Sequence, residues 1–138
     1  MIKPTALYYS KEHIWVKVED NQVRLGITDF AQTTLGEIVF LNLPEEGNSL
    51  TINNSFGDVE SIKTTSELIA PFNGQILKVN TELEDSPEYV NESPYDQGWM
   101  LEVQMDNVDD IQHLMNAKEY EDYVQKENWK ESNEHGEL

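Results

Sequence analysis

The chain has 138 residues, 38% of them hydrophobic, and a formal net charge of −18 from 27 acidic and 9 basic side chains. That is long enough for one buried core, and so negative a field argues against nucleic-acid or membrane-surface binding and favours basic partner surfaces. Cysteine is absent, which excludes disulfides, thiol catalysis and thiolate metal sites, and the three histidines (His13, His113, His135) have no metal-ligand spacing.

The first residues, Met1-Ile2-Lys3-Pro4-Thr5, lead into charged sequence without an apolar signal core or an Arg-rich presequence, and no apolar run approaches a membrane span. A cytoplasmic protein is expected. Residues 14–18 and 23–27 read as strands joined by the turn Glu19-Asp20-Asn21-Gln22. Thr28-Asp29 offers a helix cap, Gln32 lies three residues past Asp29, and Gly36 offers a stop, so a short helix is predicted over 29–35. Strands follow at 37–41, 55–62, 66–70, 75–80 and 99–103, with Pro44-Glu45-Glu46-Gly47 as a turn. The polar stretch 80–98 reads as loop, with room for one helical turn near 86–90.

The last third changes character. Asn107 with Asp110, and Asn116 with Glu119, fit a cap followed by an acid at the third helical position. Ile111, Leu114 and Met115, then Tyr120, Tyr123 and Val124, recur at helical spacing, which predicts two short helices packed on a sheet. Residues 1–125 are therefore read as a single domain, and 126–138 as a polar, mobile tail. An internal repeat is also present: Gly36-Glu37-Ile38-Val39-Phe40-Leu41-Asn42 returns as Gly74-Gln75-Ile76-Leu77-Lys78-Val79-Asn80. Two such halves predict two small facing sheets, with Lys63 in the connection between them.

Lys63 lies between two strand-like runs, with Glu60 before it and Glu67 after it. A two-residue turn at Lys63-Thr64 places Ile62 opposite Thr65, Ser61 opposite Ser66 and Glu60 opposite Glu67. Facing carboxylates cost stability on a strand pair. They serve either as a mark read by a modifying enzyme or as charges screened by Lys63 itself. Lysine suits modification, because acylation turns its flexible amine into a neutral amide. An acyl arm there would extend about 10 Å or more, enough to visit several active sites in turn.

Several blocks together resemble the H protein of the glycine cleavage system. They are Ser10-Lys11-Glu12-His13-Ile14-Trp15-Val16, Gly26-Ile27-Thr28-Asp29-Phe30-Ala31-Gln32, Leu35-Gly36-Glu37-Ile38-Val39-Phe40, Val59-Glu60-Ser61-Ile62-Lys63, Glu84-Asp85-Ser86-Pro87, Val90-Asn91-Glu92-Ser93-Pro94-Tyr95 and Gly98-Trp99-Met100. The resemblance implies a mainly β protein with short helices: a lipoyl/biotinyl-type β-sandwich (barrel-sandwich hybrid) with C-terminal helices. It implies lipoate in amide linkage on Lys63, placed there by a lipoyl ligase or transferase. It implies a non-catalytic carrier, the shared substrate of a glycine decarboxylase, an aminomethyltransferase and a dihydrolipoyl dehydrogenase. It also implies a surface cleft for the loaded arm near Glu12, His13, Ile14 and Glu67. A carboxylate is expected between the His and Trp of the first block, and Ile14 stands there instead, so Glu12 or Glu67 is left to hold the amine.

Other readings stand beside this one. Ile14 would suit a relaxed cleft, in a carrier relaying lipoate to other 2-oxo acid dehydrogenases. Biotin carriage shares the fold logic, but biotin-type lysines sit between methionines, and Lys63 has Ile62 and Thr64 as neighbours. An interaction module would leave Lys63 unmodified. His13 reads as a hydrogen-bonded structural histidine or as a cleft residue, Trp15 and Trp99 as core, and Glu84-Asp85 as a solvated loop rather than an acid–base pair.

Overall fold

The computed structural model describes residues 6–19 and 22–136, and side chains within 7–19 and 22–126. The described strands, in chain order, are β1 (Ala6–Tyr9), β2 (Ile14–Glu19), β3 (Gln22–Ile27), β4 (Ile38–Asn42), β5 (Ser49–Leu50), β6 (Ser55–Ser61), β7 (Thr65–Ile69), β8 (Gly74–Val79) and β9 (Leu101–Met105). The helices are α1 (Asp29–Leu35), α2 (Glu82–Asp85), α3 (Tyr89–Glu92) and α4 (Ala117–Gly136), with a 3-10 turn at Val108–His113. One sheet runs in the order β1-β2-β3-β9-β8-β5, the other in the order β4-β6-β7, and all pairings are antiparallel.

Alternation drives this arrangement. In β9, Leu101, Val103 and Met105 are buried, while Glu102 and Gln104 between them are not. The β9 residues join Val23, Leu25, Leu68, Phe72 and others in one core. β2 departs from strict alternation, because Ile14, Trp15 and Val16 are all buried. Both faces of this strand are covered. Ile14 and Val16 point into the main core, and Trp15 joins Tyr9 and Tyr120 in a second aromatic cluster beneath α4.

α1 spans the predicted residues, with Thr28 as its cap: the Thr28 hydroxyl accepts from Ala31 N at 3.2 Å. The reciprocal bonds of Asn116 and Glu119, at 2.9 and 2.8 Å, open α4 as the sequence pattern predicts. The two strands of the internal repeat fall in different sheets, β4 in one and β8 in the other, each followed by an antiparallel partner.

Other expectations are corrected. The second predicted C-terminal helix is longer than the short one expected: α4 runs to Gly136, with Lys118 and Asp122 at 4.0 Å as an i,i+4 pair near its start. The stretch read as loop after Asn80 carries two short helices. They are anchored because Leu83 and Val90 are buried, at 1% and 0% exposure, a contact that a four-residue segment does not announce in its sequence. Glu84 and Asp85 accordingly lie in α2. Trp99 is half-buried rather than core, with Arg24 over its ring at 4.7 Å. The turn predicted at 19–22 has its central residues, 20 and 21, outside the described residues, although Glu19 and Gln22 do pair.

Candidate functional site: a lysine turn beside an apolar cleft

The β6–β7 hairpin ends in a tight turn with Ile62 and Lys63 at its tip. Ser61 N donates to Thr64 O at 2.8 Å, and the Ser61 hydroxyl oxygen accepts from Lys63 N and Thr64 N at 3.2 and 3.1 Å. Ser61 is buried, so these bonds are shielded from water, whereas Ile62, Lys63 and Thr64 are exposed. A further bond, Ile62 N to Glu37 O at 3.0 Å, seats the turn on the segment leading into β4.

This closure corrects the predicted register. The tip is Ile62-Lys63 rather than Lys63-Thr64, so Glu60 faces Thr65 and Glu67 faces Asp58. The reason is local: a serine hydroxyl and the backbone close the turn one residue earlier than a simple centring on Lys63 assumes. The partner of Glu60 moves by two residues, so every side chain keeps its face. A facing pair of carboxylates survives, but it is Asp58 with Glu67.

Lys63 lies over Gly36. That glycine has φ +90, and a Cβ built there would sit 3.2 Å from Lys63 Cε. In the sequence Gly36 reads as a helix stop and as the start of the repeated strand. It is also the floor beneath the lysine stem, where a side chain would be both strained and crowded.

Leu35, next to Gly36, lines a cavity of about 180 Å³ together with Glu12, His13, Phe30, Val59 and Glu67. Three of the four residues predicted for an arm cleft therefore meet at one place. The fourth, Ile14, does not line it. Ile14 is 1% exposed and pairs with Ile27, itself a wall residue, so it lies beside that wall in the same sheet, buried in the core. Carboxylates at the cavity come instead from Glu12 and Glu67. A larger groove of about 620 Å³ runs along β4 and α2 and shares no lining residue with this cavity.

His13 has φ 70, an uncommon conformation for a non-glycine residue. Its Nδ1 is 2.8 Å from Tyr120 OH, and that hydroxyl is 2.7 Å from Thr28 Oγ1. The His13 ring also lies 5.0 Å from that of Phe30. His13 is thus both hydrogen-bonded and at the cavity edge: α4 secures the ring, and the ring borders the cavity. Sequence reasoning did not find Tyr120 in this position; its helical spacing marked it only as an apolar contact. Asn91 was quoted within a motif but given no role, although its side chain bridges α1 and β4.

A model of the glycine cleavage H-protein family matches residues 7–127. The chain belongs to the glycine cleavage H-protein family. It is 53% identical over 127 residues to the glycine cleavage system H protein of Bacillus licheniformis, covering 92% of this chain and 100% of the relative. The corresponding protein of Anoxybacillus flavithermus is 53% identical over 124 residues, 90% of this chain and 98% of the relative. Among solved structures, a glycine cleavage system H protein from Mycobacterium marinum superposes with a TM-score of 0.78 at 36% identity, covering 91% of this chain and 99% of that one. The fold is thus the mainly β, lipoyl-domain sandwich of H proteins, and the family function is that of a lipoyl carrier in glycine cleavage. These matches favour glycine cleavage over a general relay of lipoate. Among the described residues, no helix is long and apolar enough to cross a membrane.

Proposed function

We propose that Lys63 is the lipoate attachment point, and that Glu12, His13 and Glu67 form the mouth of the cleft that receives the arm. The observation that carries this is the exposed lysine at the tip of a turn whose backbone is pinned by buried Ser61. Pinning the backbone while freeing the side chain is what a carrier needs. The fit of the group rests on the cavity. Its walls of Ile27, Phe30, Leu35, Val59 and Leu68 suit an apolar ring, and its carboxylates suit a cationic amine.

Attachment proceeds by attack of the Lys63 amine on the acyl carbon of an activated lipoyl adenylate. The C–N bond forms, the C–O bond to adenylate breaks, and a proton leaves the nitrogen for solvent. When attached, the arm would supply a disulfide, a two-electron acceptor able to carry an aminomethyl group. Ser66, a wall residue three positions past Lys63, lies about 10 Å along the strand, within reach of such an arm. The chain contributes presentation, shelter and charge, and leaves the bond-making steps to glycine decarboxylase, an aminomethyltransferase and dihydrolipoyl dehydrogenase. Glu60 and the Asp58–Glu67 pair give the modifying enzyme a negatively charged hairpin to read.

Intact mass before and after incubation with a lipoyl ligase, lipoate and ATP tests this reading. The wild-type chain is expected to gain one lipoyl group, and Lys63→Arg none, with an unchanged melting midpoint. A lipoyl increment that survives Lys63→Arg removes the assignment.

A further inference from the structure

Resting on the assignment of Lys63 as the acylated residue, we propose that Asn91 is a positioning residue for that acylation, acting through the segment beneath the lysine turn. Asn91 lies on α3, far from Lys63 in sequence. Its Oδ1 accepts from Ile38 N at 2.9 Å, and its Nδ2 donates to Gly36 O at 2.9 Å and to Gln32 Oε1 at 2.8 Å. One side chain therefore ties the end of α1 to the start of β4.

Between the two anchored backbone positions lies Glu37, whose carbonyl accepts from Ile62 N at 3.0 Å. Gly36, at one end of the same strip, borders the Lys63 stem. The strip is thus the seat of the turn: it grips the turn's backbone and floors its lysine. Sheet pairing does not hold this seat continuously, because the β4–β6 register slips between Ile38 and Phe40. Asn91 supplies bonds at the point where the ladder is irregular.

A seated turn presents the lysine amine over a narrow range of positions. Loosening the seat leaves the hairpin available for enzyme binding but lowers the fraction of bound molecules with the amine in line for attack. The loss should fall on kcat rather than KM. A residue that only stabilised the fold would change neither at a temperature where the chain is folded.

The experiment measures acylation kinetics with a lipoyl ligase, lipoate and ATP by intact mass, and amide hydrogen exchange at Ile62, for wild type, Asn91→Ala, Asn91→Asp and Asn80→Ala. Asn80 is the control, since its side chain also bridges backbone carbonyls (Gln97 O at 3.0 Å and Trp99 O at 2.8 Å), but its bonds reach neither the turn nor the strip beneath it. Asn91→Ala is expected to lower kcat roughly tenfold, with KM within about twofold and faster exchange at Ile62. Asn91→Asp keeps the acceptor for Ile38 N and is expected to lose roughly threefold; it carries the test should the alanine variant fail to fold. Asn80→Ala is expected to acylate at the wild-type rate. Wild-type kcat in a folded Asn91 variant, or an equal loss in Asn80→Ala, overturns the inference. A wild-type chain that gains no lipoyl group removes the attachment reading and this inference with it.

Discussion

The lysine turn and the cleft beside it are built in opposite ways. The turn is closed by residues within four positions of one another, through Ser61 and the backbone of Lys63 and Thr64. The cleft is assembled from the end of the β1–β2 connection, α1, β6 and β7, and its His13 wall is secured by Tyr120 from α4. Local closure gives a rigid base for a mobile side chain. Distant closure makes the cleft depend on how well the whole domain packs. Changes to the turn should therefore alter modification, and changes to the cleft supports should alter stability and arm protection while leaving modification intact.

Gly36 joins the two regions, and its substitution should have the largest effect. Gly36→Ala places a methyl at φ +90 and against Lys63 Cε, so a loss of about 1–2 kcal/mol is expected in a urea melt, along with slower acylation of Lys63. Normal acylation in that variant would separate the floor from the lysine and break the comparison at its joint.

Tyr120→Phe probes the cleft side alone. It removes the hydroxyl shared by His13 and Thr28, and a loss of about 1 kcal/mol is expected because buried Thr28 gives up a partner. Acylation of Lys63 should stay at the wild-type rate. A matching fall in acylation would show that the regions are coupled more tightly than their construction implies.

The smallest expected effect is on pH dependence. Burial, followed by repulsion from Tyr95, raises the pKa of Tyr9; burial leads the upward shift of Tyr95, opposed by the bond from Asp29 N and reinforced by the Asp29 charge. The folded chain therefore holds these protons more tightly than the unfolded chain, whose tyrosines ionise near pH 10.0. Their contribution is complete below that pH and declines as pH rises past it. Thermal melts between neutral and alkaline pH should show this decline, with Lys63 acylation unaffected at neutral pH. A midpoint that rises with pH in the alkaline range would contradict the burial of these rings.

Much of the hairpin was legible because its signals are short-range. Strand runs on either side of Lys63, the α1 cap at Thr28 and the Asn116–Glu119 box need only neighbours to form, and each was read from the chain. The exact tip was misplaced because Ser61 can act through its hydroxyl, and the strand pattern around it does not register that bond. The place of Ile14 was hidden for a different reason. The motif marks its position, but only packing decides whether it lines the cavity or lies buried beside Ile27.

The sequence by itself determined a β-rich chain with Lys63 displayed between two strands, because residue alternation, caps and turn chemistry act over a few positions; the carrier role came from the blocks that resemble the H protein, not from those patterns. Tertiary structure alone decided that Gly36 floors the lysine, that Asn91 ties down the segment under it, that Tyr120 secures His13 and that Ile14 lies buried beside the cavity wall. Those contacts join residues far apart in the chain, and their partners are selected only when two sheets and α4 close around a shared core.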